Sequence, residues 1–501
     1  MKYFPTIGIE CHVQLATKTK LFSAVDNDAR GKEPNSCVSP IDYALPGMLP
    51  QLNGEAVKFA LRAGKAMNCK INLHSRFDRK HYFYPDSPKG YQITQFFEPI
   101  IGAGFVELAN GTKIRIEHAH LEGDAGKLTH FDDYSLVDLN RVDTPLIEIV
   151  SMPDIHSATD ARDYCKELWR LMTFAKVSHG DLYNGNMRFD VNVSIAPEGS
   201  DQLGNRAEIK NLNSFRSVEK AVEYEIARQS KLLDSGEKVI QETRGWNDAT
   251  GKTTGQRSKE EAKDYRYMPE PDLPPLNLSD DFVTAALTDF PLMPSDYRNL
   301  LKDTISNDII EVLLDYPKLV DKLAQILHFE TVSRNSYENF EASDTRDGGM
   351  AREWSKKAIS SVKLTTNLFT SVLLAEENAS LLNDELPSTE QLQDLAEMNE
   401  KKELSSTATK EVFLKFFDHQ MHYKDTRTIA KELNLLQEND SAALEAIVDT
   451  VLNNPATKKA QADFKAGQEK VLGFLVGQVM KESHGKANPS AVQDILRKKL
   501  A

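Results

Sequence analysis

A proline-dense stretch, Pro269-Glu270-Pro271-Asp272-Leu273-Pro274-Pro275, divides this chain into two regions of different periodicity. Proline lacks the N–H that a helix interior or a central strand needs, so neither element runs through it. Before it, short segments alternate apolar and polar residues and end at Gly, Pro, Asn and Asp turns, the mark of half-buried strands. After it the spacing turns helical. Ile309, Ile310, Leu313, Leu314 and Leu319 begin the pattern, and Trp354 to Leu382 continues it. A polar stretch around Glu400 to Thr409 reads as a hinge; Val412 to Phe417, Ala442 to Val451 and Val471 to Met480 follow as helices. Gly485-Lys486-Ala487-Asn488-Pro489 then breaks the pattern ahead of a last basic helix. The expected fold is α+β, with a largely antiparallel sheet in an N-terminal domain (residues 1–292), an all-α domain (293–405) and a small all-α tail (406–501).

Side chains alternate across a strand, so residues two apart share a face. In Ile7 to Leu15 the apolar set Ile7, Ile9, Cys11, Val13 and Leu15 leaves Glu10, His12 and Gln14 on the other side. Asn110-Gly111 marks a tight turn. After it Ile114, Ile116, His118, His120 and Glu122 are expected on one face, ending at Glu122-Gly123-Asp124. Arg188, Asp190, Asn192 and Ser194 oppose Phe189, Val191, Val193 and Ile195, while Glu208 and Lys210 share a face around Ile209. Any one of these is an ordinary amphipathic strand with its polar side in water. Together they set acids, amides and imidazoles at mid-strand, with Glu10, His12, Glu122, Asp190 and Glu208 converging on a polar floor. Carboxylates so gathered raise one another's pKa values, a cost that a bound divalent cation removes. Mg²⁺ suits oxygen ligands and keeps waters for phosphates; the histidine tilts toward Mn²⁺ or a second metal position. One helix is signposted to cover the apolar side. Asn213-Ser214 caps it, Phe215, Val218, Val222, Ile226 and Leu233 line one side, and Gly236 follows its end.

Phosphate chemistry also needs cations, and Phe77 to Gln92 is dense in them. Lys80 and Lys89 stand beside turn prolines, where packing explains them poorly, and suit a triphosphate or RNA phosphate. The tyrosines there either stack on a base or pack in the core. Asp264-Tyr265-Arg266-Tyr267 repeats the mixture. Gly245 to Thr253 imitates a P-loop, but five residues separate its glycines where the motif has four; a hairpin turn is expected. A net charge of −14 argues against a generic nucleic-acid coat protein. Locally, Ala456 to Ala501 carries nine Lys/Arg against four Asp/Glu, which fits a solvated helical face and an RNA contact equally. Cys11, Cys37, Cys69 and Cys165 are too scattered for a disulfide framework or a zinc module. No apolar run approaches the roughly 20 residues of a membrane span. Met1-Lys2-Tyr3-Phe4-Pro5 lacks the layout of a signal peptide, so a cytoplasmic location is expected.

Several strings occur in the order of a known family: Ile7 to Leu15, Phe77 to Asp86, His120 to Lys127, Ser135 to Arg141 with Thr144 to Val150, Glu208 to Phe215, Asp264 to Tyr267 and, near the C-terminus, Gly473 to Met480 with Gly485 to Pro489. They resemble the B-subunit family of the heterotrimeric glutamyl/aspartyl-tRNA amidotransferase. The resemblance implies a cradle-shaped first domain with a glutamine-synthetase-like core that binds ATP and Mg²⁺. There the side-chain carboxylate of Glu-tRNA(Gln) or Asp-tRNA(Asn) is phosphorylated, and ammonia displaces the phosphate to give Gln-tRNA(Gln) or Asn-tRNA(Asn). It implies a glutamine-dependent carbon–nitrogen ligase of the bacterial cytoplasm, with an amidase A-subunit, a small C-subunit and mischarged tRNA as partners. On this reading Glu10, His12, Glu122, Asp124 and Glu208 are metal ligands, and Glu10, Lys80 and Lys210 are catalytic. Lys89, Tyr91, Asp190, Asn192 and Asn211 hold the nucleotide. Asp190 and Lys210 come from strand parity, not from the resemblance.

The chain shows no Gly/Ser-rich amidase signature and no cysteine with an evident His partner, so ammonia comes from elsewhere. The family usually has two glutamates before the aspartate of Leu121-Glu122-Gly123-Asp124, and here the second is Gly123. If that second acid is the direct ligand, Glu122 or Asp124 must substitute. Some relatives carry clustered cysteines near Cys37; here it stands alone, and no zinc is expected. Two rival readings exist. The basic tail speaks against a ligase acting on a free amino acid, and the polar strand faces speak against a non-catalytic tRNA-binding scaffold.

Overall fold

The computed structural model describes residues 2–258, 265–327, 356–437, 441–483 and 487–500. The chain forms two units, one up to Pro294 and one from Ser295 onward. The first is built on eight strands: β1 (Tyr3–Gln14), β2 (Gly104–Glu107), β3 (Lys113–Gly123), β4 (Pro145–Ser151), β5 (Met187–Pro197), β6 (Ala207–Leu212), β7 (Glu242–Asn247) and β8 (Lys252–Ser258). They form one sheet in the order β8-β7-β6-β5-β1-β4-β3-β2, and only β6 and β7 pair in parallel. The chain therefore adopts the α+β class its periodicity predicts. The imitation P-loop is the β7–β8 hairpin, Asn247 lying across from Lys252.

Apolar alternation decides which side is covered. Ile7, Ile9, Cys11 and Val13 of β1, with Ile147 and Ile149 of β4 and Val191 and Val193 of β5, are fully buried. Helices α1 (Gly54–Ala66), α2 (Ala158–Phe174) and α3 (Phe215–Asp234) complete this layer. Helix α3 starts as expected, with Ser214 Oγ accepting the Ser217 N–H at 3.0 Å, and Gly236 follows it at φ +79°. Its inner face departs from the expected one. Val218 and Val222 are buried, but the stripe continues through Glu225 and Gln229, leaving Ile226 and Leu233 half-exposed. These polar side chains go inside because partners await them: Gln229 donates to the Val193 carbonyl at 3.0 Å, and Glu225 pairs with Arg228 at 2.6 Å.

Strand β3 brings a second correction. Simple parity puts Ile114 and Ile116 on the same face as His118, His120 and Glu122. A bulge between Ile116 and His118 shifts the register against β4. Ile114 and Ile116 therefore join Ala119 and Leu121 in the core, and the histidines and Glu122 turn to the other face. One extra residue reverses every side chain beyond it.

The second unit is helical. Ile310, Leu313, Leu319 and Leu323 bury the inner faces of Asn307–Leu313 and Pro317–Ile326. The segment of helical spacing from Trp354 to Leu382 begins outside the described residues. From 356 it is helical in three pieces: an α-helix over Lys356–Leu368 passes into a π turn over Phe369–Leu373, and a 3-10 stretch follows over Glu376–Asn383. Toward the C-terminus, Leu444, Val448, Leu475, Val479, Val492 and Leu496 share one apolar cluster, closed by the basic helix Pro489–Leu500. Among the described residues no single helix is long and apolar enough to cross a membrane.

Candidate active site

Strands β6-β5-β1-β4-β3 are consecutive neighbours, and their register assembles the polar face. Glu10 lies across from Asp190, His12 across from both Arg188 and Glu148, Glu148 across from His120, and Asn192 across from Glu208. Directly opposed residues send their side chains to one face about 5 Å apart. Two clusters result. Donor atoms of His12, Glu122 and Glu148 lie within 4.8 Å of one another, as do those of Glu10, Asp190 and Glu208. Strand β1 supplies one residue to each cluster, two positions apart.

In the first cluster His12 Nε2 is 3.6 Å from Glu122 Oε1 and 3.7 Å from Glu148 Oε2. Behind it, His120 Nε2 lies 3.8 Å and 3.4 Å from the same two carboxylates. Burial opposes charge on His120, but Glu122 and Glu148 outweigh it and its pKa is pushed up to about 9. Burial likewise opposes charge on Glu148, and His120, His12 and Lys80 hold its carboxyl well below the usual range. In the second cluster Lys210 Nζ bridges Asp190 at 3.0 Å and Glu208 at 2.7 Å. Burial works against that ammonium, yet Asp190 and Glu208 raise its pKa overall. Glu10 is raised by burial, then by Glu148 and Glu208, with Lys210 opposing. One ammonium among three carboxylates leaves an excess of negative charge. All-oxygen donors at Glu10, Asp190 and Glu208 fit Mg²⁺, and the histidine-bearing cluster accepts Mg²⁺ or Mn²⁺.

The clusters open on a cavity of about 370 Å³ whose lining includes His12, Glu122, Asp190 and Lys210, with Lys80 and Arg188. Lys80 Nζ stands 5.1 Å from the centroid of the Tyr265 ring. Burial disfavours its charge, but Glu122, Tyr267 and Glu148 outweigh burial and keep it an ammonium. Acids able to hold cations thus face fixed cations able to hold phosphate.

Residues 5–284 match the family model for the GatB/GatE catalytic domain, and residues 353–500 match the GatB domain. The chain is 39% identical to the second aspartyl/glutamyl-tRNA(Asn/Gln) amidotransferase B-subunit of Clostridium acetobutylicum over 100% of both chains. It is 42% identical to the B-subunit of Teredinibacter turnerae over 100% of both, and 42% identical to that of Halorhodospira halophila over 100% of this chain and 99% of the relative. The chain belongs to the B-subunit family of the aspartyl/glutamyl-tRNA amidotransferases.

In this family member the remaining candidate residues fall into three groups. Asn192 Nδ2 donates to Glu10 Oε1 at 3.2 Å, inside the second cluster. Lys89 and Tyr91 line the cavity but are engaged there: Lys89 ion-pairs with Asp143, and the Arg79 guanidinium lies 4.2 Å from the Tyr91 ring centroid. Asp124 lines the cavity too, yet the structure brings it into neither cluster. It is ion-paired with Arg141 at 3.1 Å and Arg188 at 3.3 Å, which leaves little charge for a cation. The side chain of Asn211 lies outside the described residues.

Gly123 has a structural explanation. A Cβ at this position would meet Asp143 Oδ1 at 2.7 Å and Phe22 Cε2 at 3.4 Å. Position 123 therefore faces Asp143 and not His12, and Glu122 is the strand's contribution to the first cluster. Sequence reasoning does not single out Glu148. Its one signal is an acid inside the apolar run Pro145-Leu146-Ile147-Glu148-Ile149-Val150, and its meeting with His12 depends on a pairing register that no local pattern reveals. Thr243, which donates to Glu208 Oε2 at 2.9 Å, is invisible for the same reason.

Proposed function

We propose that this cavity uses ATP to phosphorylate the side-chain carboxylate of a glutamate or aspartate carried on tRNA, and that ammonia then converts the acyl phosphate to the amide. The chain acts as the activating component of a tRNA-dependent amidotransferase, a carbon–nitrogen ligase of the cytoplasm. The observation that carries this reading is the pair of donor clusters, Glu10 with Asp190 and Glu208, and His12 with Glu122 and Glu148, each given one residue by β1, with His12, Glu122 and Asp190 lining one cavity beside Lys80 and Lys210.

Glu10, Asp190 and Glu208 would hold one Mg²⁺, and His12, Glu122 and Glu148 a second divalent cation. When bound, these ions neutralise the charge of the transferring phosphoryl group. The chain's own residues do the rest. Asn192 orients the Glu10 carboxylate through its 3.2 Å hydrogen bond. Lys80 and Lys210 offer ammonium groups to phosphate oxygens, where fixed donors are worth most. Asp124 holds Arg141 and Arg188 in the cavity wall as further anion donors. A carboxylate oxygen of the substrate attacks the γ-phosphorus, and the bond to ADP breaks. The ammonia nitrogen then attacks the acyl carbon, phosphate leaves with the bonding pair, and a proton passes from nitrogen to solvent.

Ammonia comes from a partner amidase A-subunit, braced by a small C-subunit. The helical residues from 293 and the tail from 406 contact tRNA, the basic helix Pro489–Leu500 foremost. The test is transamidation by the chain co-expressed with its partner subunits, supplied in turn with Glu-tRNA(Gln) and Asp-tRNA(Asn). Amide formation should require ATP and be abolished by Glu10→Ala with tRNA binding nearly intact. Amide formed without ATP hydrolysis, or by Glu10→Ala at the parental rate, would overturn the reading.

A further inference from the structure

The loop that joins the short strands Asp78–His81 and Tyr91–Thr94 carries an aromatic residue with no part in the chemistry above. Tyr82 and Tyr265 line the cavity, while their successors in sequence, Phe83 and Arg266, stand exposed beside one another. Phe83 is 68% exposed. A lone exposed ring needs no explanation. Here, however, the Arg266 guanidinium carbon lies 6.0 Å from the Phe83 ring centroid, and the Arg266 backbone is held at φ +43°. A long side chain adopts that left-handed conformation only where its surroundings impose it, and such positions gather at ligand sites. The imposing contacts are clear. The His81 N–H donates to the Tyr265 carbonyl at 2.9 Å, His81 Nδ1 lies 2.8 Å from the Arg266 carbonyl, and Met268 pairs with Arg79. Gly90, at φ +73°, supports the ring from below: a Cβ there would approach Phe83 Cδ1 to 3.3 Å. A supported ring and a guanidinium carried on a braced backbone thus stand at the rim of a phosphate-handling cavity.

We infer that Phe83 and Arg266 form a stacking platform for an adenine base. Aromatic faces and guanidinium planes are the groups on which bases stack. This inference rests on the proposed function, in which both large substrates end in adenosine and both must reach one cavity: ATP with its γ-phosphoryl group, and tRNA with the aminoacyl group on its 3′-terminal adenosine. The shared chemistry is the base, and the experiment separates its two sources.

In the complex with co-expressed partner subunits, equilibrium binding of ADP with Mg²⁺ is measured by calorimetry. Binding of mischarged tRNA is measured beside that of the same tRNA lacking its terminal adenosine. Phe83→Ala should weaken one ligand by about 5- to 150-fold, the range of a lost base stack. Phe83→Trp should retain binding, and Arg266→Asn, which tolerates the left-handed backbone, should fall between. A loss confined to ADP assigns the platform to ATP; a loss confined to intact tRNA assigns it to the terminal adenosine. Equal loss on intact and truncated tRNA would overturn the adenine assignment. So would Phe83→Ala binding both ligands within about twofold of the parent, with the cavity reading left standing. A parent that binds neither ligand overturns the proposed function and the platform together. Because Phe83 is exposed, an unchanged unfolding midpoint verifies that the variant is folded.

Discussion

Glu10→Gln is expected to stabilise the protein in chelator while removing most of the stabilisation that Mg²⁺ brings. Donor oxygens of Glu10, Asp190 and Glu208 lie within 4.8 Å of one another. Two like charges at that separation repel by about 3–4 kcal/mol at an effective dielectric constant of about 20. Lys210, 3.0 Å from Asp190 and 2.7 Å from Glu208, offsets much of this. Water at the cavity mouth screens more, so the net relief is about 1–2 kcal/mol. Glutamine keeps an oxygen for the Asn192 amide, so no hydrogen bond is lost with the charge. The sign follows from titration. Burial, then Glu148 and Glu208, raise the Glu10 carboxyl. An acid raised in the folded state costs stability as pH climbs past its unfolded pKa, in full once its folded pKa is passed, and costs nothing below both. The advantage of glutamine should therefore be present at about pH 7.5 and fade toward about pH 4. Thermal unfolding in EDTA should show it as a midpoint higher by roughly 2–6 °C. Mg²⁺ at about 100 times its Kd should add about 2.7 kcal/mol to the parent and far less to the variant. A variant less stable than the parent in EDTA at neutral pH, or an equal Mg²⁺ shift in both proteins, would refute the placement of Glu10 in a cation-binding acid cluster.

Glu148→Gln should lower the transamidation kcat by about 100-fold or more with tRNA affinity unchanged, since it weakens charge stabilisation where phosphoryl transfer occurs; a parental rate removes Glu148 from the site. Asp124→Asn should leave calorimetric Mg²⁺ affinity within about twofold because two arginines already engage its charge, whereas a loss of about 10-fold or more would make Asp124 a ligand. Gly123→Glu should destabilise the fold by about 1–3 kcal/mol through crowding against Asp143 and leave Mg²⁺ affinity unimproved; tighter Mg²⁺ binding would contradict the direction assigned to this position. Replacing Arg497 and Lys498 together with alanine should weaken tRNA binding and reduce its salt dependence, a slope change of up to about 2 in log–log form. An unaltered slope would take the last helix off the RNA.

Much of this was legible in one dimension because the forces involved are local. The change from period two to helical spacing across Pro269–Pro275 precedes the point at which the chain divides into two units, Pro294. Alternation in Ile7 to Leu15 assigns Glu10 and His12 to one face, since successive side chains of a strand must point to opposite sides. What the sequence alone could not decide was pairing. Glu148 meets His12 only because β4 lies beside β1 in one register, and a shift by a single residue would bury it in the core. The bulge after Ile116 separates isoleucines from histidines that parity had joined. Asp124 stands with Glu122 in sequence as a candidate ligand, yet two arginines from other segments, Arg141 and Arg188, hold it. Strand direction and period are set by each residue and its neighbours in the chain; register, bulges and ion pairing are set by contacts between distant segments, which exist only once the sheet has formed.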